Sequence, residues 1–207
     1  TSTTEVSATG TITIEDLDDT DEVTLSEQEV GSVVWSEGAL DADQLSATDI
    51  QDLIDGFVLD DTAALAIDDA TNTVDSSWTY TTQGVDLNFL GEGETLTITY
   101  EVTATDDSGT GTAASDPVTV TITITGTNDD PVVTAETNVM AAIDETGSEL
   151  TASGSFEIED ADTTDEVTVT GITVIASGDD HDAPDNATLA AMLTTQGSVL
   201  IDGSGTT

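Results

Sequence analysis

Several segments of this sequence alternate apolar side chains with threonine, and a period of two is the repeat of a β-strand rather than of a helix. The clearest segment runs from Leu96 to Ala104, where every second residue is apolar. The same alternation involves Val118, Val120, Ile122 and Ile124, then Ile12 and Ile14, and then Val167 and Val169. Strands with one apolar face, separated by turn residues, predict an all-β fold of antiparallel sheets packed as an immunoglobulin-like or cadherin-like sandwich.

Two short segments have a helical period instead. In 46–56, the apolar side chains of Ile50, Leu53 and Ile54 share one helical face, Ser46 and Asp49 resemble a capping box, and Gly56 can end the helix. Residues 185–193 repeat this pattern with Leu189, Met192 and Leu193. We expect one short inserted helix in each half, with its apolar face in the core.

The chain contains an internal repeat. Residues 10–24 align without gaps on residues 154–168, with 10 of 15 positions identical and an offset of 144 residues. The boundary is expected at 125–131, where a Thr-rich strand is followed by polar turn residues and Pro131. This organisation predicts that 1–130 form one repeat without its first strand, and that 131–207 form the first half of the next. Since no initiating Met or signal peptide is present, we expect the chain to be an internal piece of a longer protein.

The charge balance excludes whole classes of partner. The 207 residues include 44 Asp and Glu but no Lys or Arg, for a net charge of -44. Binding to nucleic acid or to anionic membranes requires cationic side chains, so both are excluded. Hydrophobic residues nevertheless make up 36% of the chain and the mean hydropathy is -0.06, which favours a folded protein over an acidic disordered tail.

Catalysis is not expected. The chain has no Cys, and its single His, His181, lies in an acidic loop where we expect it to be solvated. Carboxylate pairs of the glycosidase type occur by chance in so acidic a chain, and 3% aromatic residues provide little to line a sugar cleft. The larger aromatic side chains are expected in the core: Trp35, Trp78, Tyr80 and Tyr100.

Dense negative charge opposes folding, and the chain has no cation of its own to neutralise it. Either bound divalent cations relieve the repulsion, or the carboxylates stay hydrated, as on a halophilic surface. The clustering of acids at strand ends favours the first alternative, with Ca²⁺ as the cation because it takes six to eight oxygen ligands.

Strand direction indicates which clusters meet. If successive strands are antiparallel, the loop after Ile14 lies at the same pole as the end of the strand that begins at Thr95. The corresponding loop after Ile158 lies at the pole where the linker enters the second repeat. The candidate Ca²⁺ ligands are Asp16, Asp18, Asp21, Asp106 and Asp107 for the first site, and Asn128, Asp129, Asp130, Asp160, Asp162 and Asp165 for the second.

Other cation motifs do not fit. An EF-hand that starts at Asp16 would have Asp21 where a glycine is required, and its repeat copy would have Gly171 where the final glutamate belongs. Zinc is disfavoured because the chain has no Cys and one His.

The sequence resembles the VCBS repeats of large RTX-type bacterial adhesins. The resemblance covers nearly the whole chain and rests on an ordered set of segments: the aromatic strand at 78–80, the Gly-Glu-Thr strand from Gly93, the Thr-Asp-Asp turn at 105–107, and the Gly-Thr-Asn-Asp-Asp-Pro boundary at 126–131. The linker 128–131 is also similar to the calcium-binding linkers of cadherins. The acidic loops depart from the family pattern, since Glu22 and Glu166 stand where a His often occurs.

This resemblance implies tandem β-sandwich modules, export to the cell surface and calcium-dependent rigidity. We therefore expect a non-catalytic structural extender of a secreted adhesin or extracellular fibre, stiffened by Ca²⁺ between repeats. Its expected partners are neighbouring repeats or copies of itself. Two alternatives stay open: a filament subunit that assembles by strand complementation, and a module that binds a glycan or protein through the helix and the 178–185 loop.

Overall fold

The computed structural model of this chain describes residues 5–18, 20–61, 63–108, 113–137, 151–168, 173–175, 185–193 and 199–202. This part consists of antiparallel sheets and two short helices, which confirms the predicted all-β class. The chain divides into two compact units, one formed by Thr1–Leu87 with Glu92–Thr127 and the other by Asn88–Gly91 with Asn128–Thr207. Within the described residues, no helix is long and apolar enough to cross a membrane.

The described residues of the first unit form eight strands and one helix. They are β1 (Ser7–Glu15), β2 (Glu22–Glu29), β3 (Val34–Trp35), α1 (Ala47–Ile54), β4 (Phe57–Leu59), β5 (Leu65–Ala66), β6 (Thr73–Thr81), β7 (Thr95–Asp106) and β8 (Val118–Thr125). One sheet has the order β1-β6-β4. The other has the order β3-β7-β2-β5, with β8 also paired to β7.

The predicted alternation accounts for the core of the first unit. Along β7 the side chains of Leu96, Ile98, Tyr100 and Val102 are buried, while the threonines and Glu101 between them are partly exposed. The two sheets meet through aromatic side chains, because the ring of Phe57 in β4 stacks on that of Tyr100 with 4.5 Å between centroids. Trp35 and Tyr80 are also buried, as expected, while Trp78 is half-buried.

Helix α1 begins as predicted, but Gly56 has a different role from the expected one. Ser46 and Asp49 form a complete capping box, and Leu53 is fully buried. The helix ends at Asp55 in a right-handed conformation, so the turn does not need a left-handed glycine at Gly56. A Cβ at Gly56 would lie 2.0 Å from the carbonyl oxygen of Thr81. Glycine is required here because two backbone segments approach each other closely.

The described residues of the second unit form four strands and one helix. They are β9 (Val132–Thr137), β10 (Ser155–Glu159), β11 (Glu166–Thr168), α2 (Asn186–Ala190) and β12 (Val199–Asp202). Strand β9 pairs with β10, and β11 with β12. The expectation that the second helix packs into the core is wrong for the described residues, because α2 buries no side chain and the adjoining Met192 and Leu193 are 67% and 52% exposed. His181, Val169 and most of the 178–185 loop lie outside the described residues.

Candidate metal centre

The loop between β1 and β2 is folded by its own aspartates. The backbone N–H of Asp18 donates to Oδ1 of Asp16 at 3.0 Å, and the N–H of Asp21 donates to the carbonyl oxygen of Asp18 at 3.0 Å. Short side chains that accept a hydrogen bond two residues ahead are typical of tight turns. The turn places the half-buried carboxylates of Asp16 and Asp21 at the same end of the sheet.

Strand pairing brings a third carboxylate to this loop. Val23, near the start of β2, is paired with Asp106, the last residue of β7. Asp106 is held in turn by Ser108, whose backbone N–H donates to its Oδ1 at 2.9 Å and whose hydroxyl donates to the same oxygen. The predicted meeting of these segments therefore follows from the β2–β7 register.

One oxygen each from Asp16, Asp21 and Asp106 lies within 4.8 Å of the other two. Two oxygens on opposite sides of one Ca²⁺, each at about 2.4 Å, would be about 4.8 Å apart. The three carboxylates therefore fit around a single Ca²⁺, and waters or backbone carbonyls would complete its six to eight ligands. We call this group the Asp106 cluster.

The other two predicted ligands of this site lie outside the group of three. Oδ1 of Asp107 accepts the backbone N–H of Glu22 at 3.2 Å, and the side chain of Asp18 is exposed. Both still act on the cluster electrostatically. Partial desolvation raises the pKa of Asp21, and the carboxylates of Asp107, Asp18, Asp106 and Asp16 raise it further. The cluster thus holds excess negative charge that a cation would neutralise.

The corresponding loop in the second unit has the same backbone hydrogen bonds. The N–H of Asp162 donates to Oδ1 of Asp160 at 3.1 Å, and the N–H of Asp165 donates to the carbonyl oxygen of Asp162 at 3.0 Å. The 144-residue sequence repeat is therefore also a structural repeat of this loop.

Asp162 differs sharply from its repeat counterpart Asp18, because it is 0% exposed. Its Oδ2 accepts the backbone N–H of linker residue Asp129 at 2.7 Å. Its Oδ1 is buried without a hydrogen-bond partner, and so is Oγ1 of the next residue, Thr163. Burial raises the pKa of Asp162, as do the carboxylates of Asp165, Asp129 and Asp160, against the lowering effect of the bond from Asp129. A buried oxygen without a hydrogen-bond donor is costly, and a cation bound to Asp162 Oδ1 and Thr163 Oγ1 would offset that cost.

The remaining predicted ligands of the second site are less closely gathered. The described carboxylates of this unit include no three with oxygens within 4.8 Å of one another. Asn128 donates from its side-chain amide to the carbonyl oxygen of Asp129 at 3.0 Å, and Asp130 is exposed. Thr163 is a further candidate cation ligand that the sequence did not suggest. The first repeat has an Asp at the corresponding position, so the comparison of the two loops did not single out a hydroxyl ligand there.

Comparisons with protein-family models, with curated proteins and with solved structures give no significant match for this chain.

Proposed function

We propose that this chain is a non-catalytic structural module of a secreted cell-surface adhesin or extracellular fibre, built from immunoglobulin-like repeats and stiffened by Ca²⁺. The observation that carries the proposal is the Asp106 cluster, in which three carboxylates converge in a chain that has no Lys or Arg. The ordered sequence motifs that resemble VCBS repeats support the extracellular assignment.

The second acidic loop supports a role for calcium in ordering the linker. Asp129 belongs to the segment that joins the two sequence repeats, and its backbone is hydrogen-bonded to Asp162. A Ca²⁺ that uses the buried Oδ1 of Asp162 would hold the carboxylate that anchors this linker. Fewer linker bonds would then rotate freely, and this would stiffen a chain of tandem modules.

Calorimetric titration of the calcium-free protein with Ca²⁺ tests the proposal. We expect dissociation constants of about 10⁻⁴ to 10⁻³ M, the range of extracellular modules. Asp106→Asn should remove the first site, because it deletes one of three converging charges. Asp69→Asn, an exposed acid outside both loops, is the charge-matched control and should leave the titration unchanged. The proposal fails if the native chain and Asp106→Asn give the same heats.

Stiffening requires a separate measurement. Small-angle scattering should give a broader distribution of interatomic distances in chelator than in millimolar Ca²⁺. An identical distribution in both solutions, together with measured Ca²⁺ binding, would mean that calcium binds without stiffening the chain.

A further inference from the structure

The inward face of β2 changes character along the strand. Val23 and Leu25 are buried in the core, and the same alternation places Glu27 and Glu29 on that face. The pairing with β7 agrees, because Glu29 lies opposite the buried Tyr100. In an antiparallel pair, side chains directly opposite each other lie on the same face of the sheet. Two carboxylates thus occupy positions for which the first half of the strand has apolar side chains.

These two acids line a cavity at the end of helix α1. Its volume is about 360 Å³. A third carboxylate, that of Asp55, also lines it, and the apolar or aromatic part of the lining includes Ile54, Val58 and Tyr100. The hydroxyl of Tyr100 donates to the carbonyl oxygen of Ile54 at 2.9 Å, so this ring joins the sheet to the helix. The cavity therefore combines three acids with an apolar wall.

The chain has no Lys or Arg to balance these carboxylates. Oε1 of Glu29 is buried and has no hydrogen-bond partner. Asp55 caps the C-terminus of α1, which is the negative end of the helix dipole, and the last turn of the helix has no basic residue. Burial raises the pKa of Tyr100, and the nearby charges of Tyr80, Glu29 and Asp55 raise it further. A cation in the cavity would reduce this repulsion and give the buried oxygen a partner.

The spacing of the carboxylates favours an extended cation over a metal ion. Residues two apart on a strand are separated by about 7 Å. Among the described residues, only the Asp106 cluster brings three such oxygens within 4.8 Å of one another, so Glu27, Glu29 and Asp55 do not converge on one point. A guanidinium group has five N–H donors in a planar fork and is weakly hydrated, so it can bond separated carboxylates beside an apolar wall. The alkyl stem of an arginine would pack on Val58, which is 47% exposed.

We propose that this cavity binds an arginine side chain of a different protein, through salt bridges to Glu27, Glu29 and Asp55. A second copy of these 207 residues cannot supply that side chain, because they contain no Lys or Arg. The charge of -44 would attract a basic partner from a distance, and the cavity would select the arginine on contact. Glu29 is the last residue of β2, whereas the Asp106 cluster adjoins the start of that strand, so the two sites are separate.

A capped peptide, Gly-Gly-Arg-Gly-Gly, titrated into the full chain in physiological salt and millimolar Ca²⁺, tests the proposal by NMR. We expect saturable shifts of the Val58 methyl and Tyr100 ring signals. The dissociation constant should be about 1 mM, as two charge-assisted hydrogen bonds would give. A peptide with citrulline in place of arginine has the same shape without the charge and should not bind. A lysine peptide should bind more weakly than the arginine peptide, because an ammonium group cannot bond the separated carboxylates together.

Three variants locate the binding site. Glu29→Gln keeps the shape of the side chain but removes its charge, and should weaken binding about tenfold. Glu27→Gln should have a similar effect, and this change leaves the core intact because Glu27 is exposed. Glu101→Gln is the matched control, since Glu101 follows Tyr100 in β7 and the alternation places its side chain on the opposite face of the sheet. This control should bind the arginine peptide as tightly as the native chain does.

Equal binding of the arginine peptide and either the citrulline or the lysine peptide would overturn the proposal. Equal weakening by Glu29→Gln and Glu101→Gln would also do so, because general surface charge would then account for the binding. If the arginine peptide does not bind at several millimolar, the proposal is wrong as well. Calcium titration of Glu29→Gln should match that of the native chain, so this proposal and the calcium proposal can fail separately.

A different role for the inward acids has its own signature. Among the described residues, β5 pairs only with Glu22 and Val23 of β2, and inward charges can protect an open strand edge from pairing with another chain. Under that role, the double variant Glu27→Val/Glu29→Val would self-associate while the native chain ignores the arginine peptide. This pair of results would overturn the arginine site and assign the two acids to edge protection.

Discussion

At the scale of single residues, the main contrast is between Asp18 and Asp162. They occupy the same position in the repeat and accept or donate the same loop hydrogen bonds, but only Asp162 is buried. A buried carboxylate without a cation is costly, and the chain has no Lys or Arg to pair with it. Asp162 is therefore the residue at which calcium should have the largest effect on stability.

Asp162→Asn should change stability in opposite directions with and without calcium. In chelator we expect a higher free energy of unfolding than for the native chain, because the amide carries no charge and can still accept the N–H of Asp129. In Ca²⁺ at 100 times the dissociation constant, each occupied site raises the free energy of unfolding of the native chain by about 2.7 kcal/mol. The variant should not show the increase that comes from the second site. Urea denaturation in chelator and in Ca²⁺ measures both free energies of unfolding, with Asp69→Asn as the control variant. A variant destabilised equally in both solutions would contradict this role.

The acidic loops also predict a pH dependence. Asp21 and Asp162 have pKa values raised above the ordinary 3.8, so each binds its proton more tightly in the folded state. Their contribution to stability is complete below the unfolded pKa and is lost as pH rises through the folded value. In chelator, the advantage of the double variant Asp21→Asn/Asp162→Asn over the native chain should therefore grow between about pH 4 and about pH 7. A constant difference across this range would show that neither group titrates abnormally.

At the scale of elements, the capping box of α1 makes a local contribution that can be measured. Ser46 accepts the N–H of Asp49 at 3.2 Å, and Asp49 accepts the N–H of Ser46 at 2.9 Å. Ser46→Ala should lower the free energy of unfolding by about 1 kcal/mol, since it leaves one N–H of the first turn without its partner. Ser46→Thr keeps the hydroxyl and is the matched control. Equal destabilisation by both variants would mean that packing, not capping, sets the cost.

A structural feature could be predicted from the sequence where the residues that determine it are close together in the sequence, and not where they are far apart. The strand that contains Tyr100 and the capping box at Ser46 follow from patterns within a few residues. The local pattern predicts Gly56 as a left-handed helix end, but glycine is required there because the backbone of Thr81, 25 residues away in sequence, approaches it closely. The burial of Asp162 could not be predicted, since Asp18 has nearly the same neighbours and the difference arises from the linker at Asp129.

At the scale of the whole molecule, the carboxylates that give the chain its charge of -44 fall into two groups that respond differently to dissolved ions. Carboxylates scattered over Thr-rich faces repel one another through solvent, and any salt screens them as the Debye length falls from about 10 Å at 0.1 M to about 3 Å at 1 M. The Asp106 cluster and Asp162 differ, because their oxygens converge or are buried. A specific ion should stabilise these groups beyond general screening.

Melting temperatures in two series of solutions separate these effects. In chelator, NaCl should raise the melting temperature gradually as it screens the whole surface. Millimolar CaCl₂ should add a further, saturable increase at constant ionic strength, and MgCl₂ should add less, because Mg²⁺ demands a smaller octahedral site and sheds its water reluctantly. In Asp106→Asn/Asp162→Asn the NaCl series should keep its slope, while the calcium increment should be lost. If calcium and magnesium act alike and the variant responds as the native chain does, the acidity serves solvation alone.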